Sequence, residues 1–94
     1  MVDFTPISPG AVSLYVCGPT VQSSPHVGHL RSALVYDLWA RWFGYRGLNV
    51  TMVRNVTDID DKVLEQGENS SEAWWALAER IEAEFASVTD AINI

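Results

Sequence analysis

Cysteine is all but missing from this 94-residue chain. Cys17 stands alone, so no internal disulfide can form and a disulfide-stapled secreted scaffold is excluded. Lysine is equally scarce: Lys62 is the only one, beside five arginines and twelve acidic residues, and the net charge is −6. A free-standing nucleic-acid binder draws on clustered Lys and Arg, so that class is excluded too, although a catalytic piece whose nucleic-acid contacts lie elsewhere is not. No apolar run approaches the roughly 20 residues of a bilayer span, and no basic, apolar leader opens the chain. A cytoplasmic setting is therefore expected. Internal repeats and low-complexity segments are missing as well. Histidine occurs only twice, at His26 and His29.

What is present is ordinary for a globular domain, with 48% hydrophobic and 19% charged residues, too apolar for disorder. Four tryptophans are a heavy load for a domain that buries only a modest share of its surface. Some are expected to face a surface this chain does not itself cover, and self-association is one way to cover it.

Residues 1–10 carry Pro6, Ser8, Pro9 and Gly10, turn chemistry without periodicity. Val12 to Cys17 (VSLYVC) is short, β-branched and aromatic, and predicts a buried strand. Gly18, Pro19, Ser23, Ser24 and Pro25 predict a loop. From Val27 the period becomes helical, with Leu30, Leu34, Leu38 and Trp42 at i+4 and Ala33, Asp37, Ala40 and Phe43 in flanking rows. Gly44 or Gly47 is expected to end this helix. Asn49 to Arg54 (NVTMVR) predicts a second strand. Thr57 or Asp58 is expected to cap a short helix through Leu64, broken at Gly67. Asn69 and Ser70 then open a long helix whose stripe is Trp74, Leu77, Ala78, Ile81, Phe85, Val88 and Ile92. Strand, helix, strand is a βαβ unit, which favours parallel strands and a right-handed crossover. The fold class is thus α/β, the N-terminal part of a Rossmann-like parallel sheet. Two parallel strands make a poor sheet by themselves, and no terminating signal precedes Asn93-Ile94, so more of the fold is expected to follow.

His26 and His29 stand where the first strand's loop enters the first helix, the place where open α/β folds bind ligands. A helix start offers unpaired N–H groups and a positive dipole end, which attract phosphate. Two imidazoles there could donate to a phosphate as its charge grows. Gly28 between them has no Cβ to obstruct a flat ligand. Spacing alone reads first as a cap or as partly buried core histidines. A metal reading of the pair is weaker still, because no carboxylate lies close by in sequence to complete a site.

His26-Val27-Gly28-His29 resembles the HIGH signature of class I aminoacyl-tRNA synthetases, and it follows a strand and loop and opens a helix, as that family requires. The blocks Tyr15-Val16-Cys17-Gly18-Pro19-Thr20-Val21 and Arg54-Asn55-Val56-Thr57-Asp58-Ile59-Asp60-Asp61-Lys62 narrow the resemblance to the cysteinyl-tRNA synthetases, the actinobacterial form in particular. It runs over roughly residues 11–94. The resemblance implies that His26 and His29 stabilise the α-phosphate and the departing pyrophosphate as cysteine attacks ATP, and that Gly28 gives the adenine room. It implies that Cys17 is a thiolate ligand of a Zn²⁺ that holds the substrate sulfur, and that Thr57 lines the same amino-acid pocket. Zinc prefers thiolate to hydroxyl, which suits selection of cysteine over serine. Mg²⁺ is expected on the nucleotide, and tRNA(Cys) as the acyl acceptor.

Each assignment has a plainer counterpart. A lone Cys ending a strand is ordinarily a small core hydrophobe, Thr57 serves equally as a cap, and Asp58, Asp60 and Asp61 read as a solvated first turn. Trp74 and Trp75 read as packing. Where many relatives carry Tyr-Asp after Thr20-Val21 this chain has Gln22-Ser23, so no role is transferred to that pair. The family's further zinc ligands, its KMSKS loop and its anticodon-binding domain are not among these residues. Alone, the 94 residues are expected to bind zinc weakly or not at all and to charge no tRNA at a useful rate. Two other readings stand beside the synthetase segment. One is the related ligase that joins cysteine to an amino-sugar inositol in mycothiol synthesis. The other is a non-catalytic remnant that binds a nucleotide or a partner protein.

Overall fold

The computed structural model describes residues 2–94. Strand β1 (Ala11–Val16), helix α1 (Val27–Tyr45), strand β2 (Asn49–Arg54), helix α2 (Asp61–Ser70) and helix α3 (Trp74–Ala91) follow in that order. The strands pair in parallel from Ala11↔Asn49 to Val16↔Arg54, and an isolated parallel bridge, Thr20↔Thr57, lies beyond both strand ends, one residue out of the strand register. The chain is drawn out, 51 × 25 × 22 Å with a radius of gyration of 16.3 Å, where a compact domain of this length has about 12 Å.

The main core lies between α2, α3 and the loop after β1. Val21, Val63, Leu77, Ala78, Ile81 and Phe85 are buried there, with Trp74 packed against them. Val12, Val16 and Ala33 are buried where α1 crosses the sheet. Arg41 extends α1 toward the end of α3: its Nε meets Asp37 at 2.6 Å and its Nη2 donates to the Asn93 carbonyl at 2.6 Å.

β1, α1 and β2 fall where the patterning predicts, and five of the seven α3 stripe residues lie in the core or pack on it. Of the two apolar rows of α1, the flanking one faces the sheet. Ala33 is buried, and Tyr36, Asp37, Ala40 and Phe43 are half-buried, whereas Leu34, Leu38 and Trp42 of the regular i+4 row point outward. The flanking row is the packed one, because small Ala33 and Ala40 let the helix lie close to a sheet of only two strands. Gly44 sits within α1, and Gly47 at φ +83° turns the chain toward β2.

The α2 boundaries also depart from expectation. Asp60, not Thr57 or Asp58, is the cap, its Oδ1 accepting from Lys62 N–H at 2.9 Å. Thr57 is already spent as sheet: its N–H donates to Pro19 O at 2.9 Å and its carbonyl accepts from Val21 N–H at 3.1 Å. Gly67 does not break the helix. It is buried beneath the α2–α3 turn, where an added Cβ would stand 3.0 Å from Glu72 O and 3.1 Å from Trp74 Cα. Helix α2 runs on through Asn69 and Ser70, stops at Ser71 with φ +56°, and α3 starts only at Trp74.

Candidate active site

Parallel pairing sends the carboxyl ends of β1 and β2 out of the same edge of the sheet, the edge that serves as the ligand side of open α/β folds. The chain leaves β1 at Cys17, which is exposed and free. Gly18 follows, pressed so tightly on the neighbouring strand that a Cβ there would lie 1.7 Å from Asn55 O. No side chain fits in that gap. Gly18 N–H donates to Asn55 Oδ1 at 2.8 Å, and Asn55 Nδ2 donates to Thr57 Oγ1 at 3.3 Å.

The loop returns to α1 at His26, its N-cap. Gly28 N–H donates to His26 Nδ1 at 3.1 Å, and His26 N–H donates to His29 Nδ1 at 3.2 Å. This is a reciprocal capping arrangement with imidazoles in place of the usual hydroxyl and carboxylate. Both Nδ1 atoms are acceptors, so each neutral ring carries its hydrogen on Nε2. The rings stack at 3.8 Å between centroids and 24° between planes. Phe85 of α3 meets the His29 ring edge-on at 5.2 Å. Burial, and secondarily the neighbouring His26 imidazole, hold the His29 imidazole below its ordinary value, favouring the neutral form.

The capping and the ligand readings of the histidines are therefore compatible. Nδ1 serves the helix, and Nε2–H remains as a donor on each ring. The space beside Gly28 is put to a use that spacing does not reveal, for a Cβ would stand 2.9 Å from His26 Cε1. The glycine admits the His26 ring. Gly28 also borders an open hollow of about 300 Å³ with Arg31, Ser32, Val35 and Tyr36.

Cys17 and His29, 12 residues apart in sequence, line one small cavity of about 80 Å³ together with Gly18, Ser32, Tyr36 and Arg54. Of the five candidate residues, Cys17 and His29 share this cavity, His26 stacks on His29, and Gly28 borders the neighbouring hollow. Thr57 is outside both linings and is tied to the first through Asn55 and Gly18. Ser32 and Tyr36 escaped the sequence reading, yet they stand three and seven positions after His29 on one helical face, a signal available from spacing. Arg54 and Asn55 lie in a block that the resemblance singles out; the register pairs Arg54 with Val16, next to Cys17, and Asn55 meets Gly18 just past the strand ends.

Among the described residues no three His, Cys, Asp or Glu side chains gather closely enough to hold a metal ion. Cys17 offers one thiolate, and a zinc site needs three or four protein donors. The residues of this chain do not by themselves fit a zinc site. The first turn of α1 holds no acidic residue, so it supplies no carboxylate for Mg²⁺. No helix among the described residues is long and apolar enough to cross a membrane.

Comparison with known proteins gives the family. The chain is 62% identical to a cysteine–tRNA ligase of Leifsonia xyli and 59% identical to that of Clavibacter sepedonicus, in each case over 98% of this chain and 20% of the relative. A cysteine–tRNA ligase of Kocuria rhizophila is 54% identical over 98% of this chain and 21% of the relative. The chain thus spans about a fifth of the length of the curated relatives it matches. Residues 3–94 match the family described as tRNA synthetases class I (C) catalytic domain, and with its two-stranded parallel α/β unit and histidine-capped first helix the chain belongs to that family.

Proposed function

We propose that residues 1–94 are the N-terminal portion of the catalytic domain of a cysteine–tRNA ligase, a Rossmann-like sheet of the HIGH nucleotidyl-transferase type. In the complete enzyme this portion activates cysteine with ATP and passes it to tRNA(Cys). The observation that carries the reading is the stacked pair His26 and His29 at the start of α1, with Nε2–H groups uncommitted and Cys17 in the cavity that His29 lines. A cytoplasmic setting goes with it.

In the first step a carboxylate oxygen of cysteine forms a bond to the α-phosphorus of ATP, and the bond to the departing pyrophosphate breaks. Negative charge grows on the phosphate oxygens, and the two Nε2–H donors and the positive end of α1 stabilise it. Gly28 would give the adenine room in the hollow it borders with Arg31 and Tyr36. Cys17 and Thr57 would face the cysteine substrate. A Zn²⁺ that received Cys17 would supply a metal–thiolate preference for cysteine, its other donors coming from outside these residues. Mg²⁺ would travel on the phosphates. In the second step a terminal ribose hydroxyl of the tRNA takes the cysteinyl group and AMP leaves.

Cysteine-dependent ATP–pyrophosphate exchange tests the reading, in a complete ligase made by grafting residues 1–94 in place of the matching fifth of the Leifsonia xyli relative. Substituting His29 by Ala is expected to lower exchange about 10²–10³-fold, the scale for losing one oxyanion-type donor. Exchange unaffected by that change would remove His29 from the phosphate site.

A further inference from the structure

We propose that Asn55 is a positioning residue that sets the hydrogen-bond polarity of the Thr57 hydroxyl toward the substrate; this rests on Thr57 lining the amino-acid pocket, as proposed above. The two ends of an asparagine amide are nearly alike in shape, and their partners decide which way it faces. Here one partner is the Gly18 backbone N–H, which can only donate, at 2.8 Å. The end facing it is therefore Oδ1. The amide nitrogen is then turned toward Thr57 Oγ1, 3.3 Å away, and that oxygen must accept. A hydroxyl that accepts from a fixed donor keeps its own O–H to give.

The rest of Thr57 is already committed. Its N–H donates to Pro19 O and its carbonyl accepts from Val21 N–H, so its backbone is pinned and only the hydroxyl is left to meet a ligand. Asn55 in turn cannot drift, because its backbone carbonyl abuts Gly18 with no room for a Cβ between them. The chain Gly18, Asn55, Thr57 thus runs in one direction, donor to acceptor, and ends in a hydroxyl proton. What such a group addresses is an acceptor, the carboxylate or thiolate of the amino acid. The same chain fixes Thr57 relative to Gly18, the residue next to Cys17, so the two substrate-facing groups move as one body.

Asn55→Asp separates the polarity from the clamp. It keeps an acceptor for Gly18 N–H but places a second acceptor opposite Thr57, drawing the hydroxyl proton inward. Asn55→Ala removes both. In the grafted ligase, Asn55→Asp is expected to raise KM for cysteine about three- to tenfold, the range of one ordinary hydrogen bond, with kcat and the melting temperature little changed. Thr57→Val is expected to give the same rise, and the double variant no more than either alone. Independently, a long-range HNCO spectrum of the chain is expected to correlate the Gly18 amide with the Asn55 side-chain carbonyl carbon. An unchanged KM in Asn55→Asp, multiplying effects in the double variant, or a folded chain without that correlation would each overturn the proposal. An unmodified graft without cysteine-dependent exchange would instead count against the function proposed above, since the spectrum decides the Asn55 orientation by itself.

Discussion

His26 is a helix cap and, under the function proposed above, a phosphate donor, and one pair of substitutions can pull the two apart. Its Nδ1 caps α1, and its Nε2–H is assigned to the nucleotide. His26→Ala removes both. Losing a side-chain cap costs about 1 kcal/mol, and in a domain of 60–100 residues that lowers the melting temperature by roughly 4–8 °C. His26→Asn restores a short acceptor at a position where Asn is among the best caps, so its melting temperature is expected to return to within about 2 °C of the parent. Asparagine does not reach as far as Nε2, so both variants are expected to lose about 10²–10³-fold in cysteine-dependent exchange. Thermal melts of the chain and exchange assays of the grafted ligase read the two tasks separately. An Asn variant with full exchange would mean that His26 is a cap and nothing more. An Ala variant that melts with the parent would refute the capping role and, with it, the tautomer that leaves Nε2–H outward.

Three other outcomes are expected. Gly18→Ala drives a Cβ to 1.7 Å from a backbone oxygen; strands must part, and melts should show a loss of roughly 3 kcal/mol, the upper end of overpacking costs. Gly67→Ala meets backbone at 3.0–3.1 Å, so the usual gain from replacing a helical glycine should vanish and stability should fall by about 1 kcal/mol in a denaturant titration. Burial holds the His29 imidazole below its ordinary value, so the unfolded chain binds the proton more readily. Its contribution to stability is complete above that value and is lost as pH falls through the lower folded one. Melting temperatures followed from pH 8 to pH 5 should decline more steeply in the parent than in His29→Gln.

The βαβ unit was legible because its signals are local: a β-branched run, a helical period and a second such run, each the right length. The α2 start was not. Thr57, Asp58 and Asp60 are all acceptable caps, and what removes Thr57 is its pairing with residues 19–21, a contact 37 positions away in sequence that no local pattern encodes. Gly67 misled for a related reason. A glycine reads as a breaker until the Trp74 backbone is found lying on it. At the candidate site, the histidine pair, Cys17 and Thr57 are named by the resemblance, whereas Asn55 becomes visible only when its side chain is found on the Gly18 N–H. The Leu34–Leu38–Trp42 row, regular as it is, faces outward, because periodicity says that a helix has an apolar face, not which neighbour it meets.

The pairing of residues near 18 with residues near 55 also governs when the site comes into being. Helix α1 lies wholly within the loop this pairing closes and can form in about a microsecond, whereas parallel strands must wait for that loop to be drawn shut. A chain whose helices had formed but whose strands had not yet met would look largely folded by circular dichroism. It would still hold Gly18 and Asn55 on opposite sides of an open loop, without the cavity that Cys17 and Arg54 line in the folded chain. For this protein, helicity measures the presence of the parts, and the Gly18–Asn55 contact marks the moment they become a site.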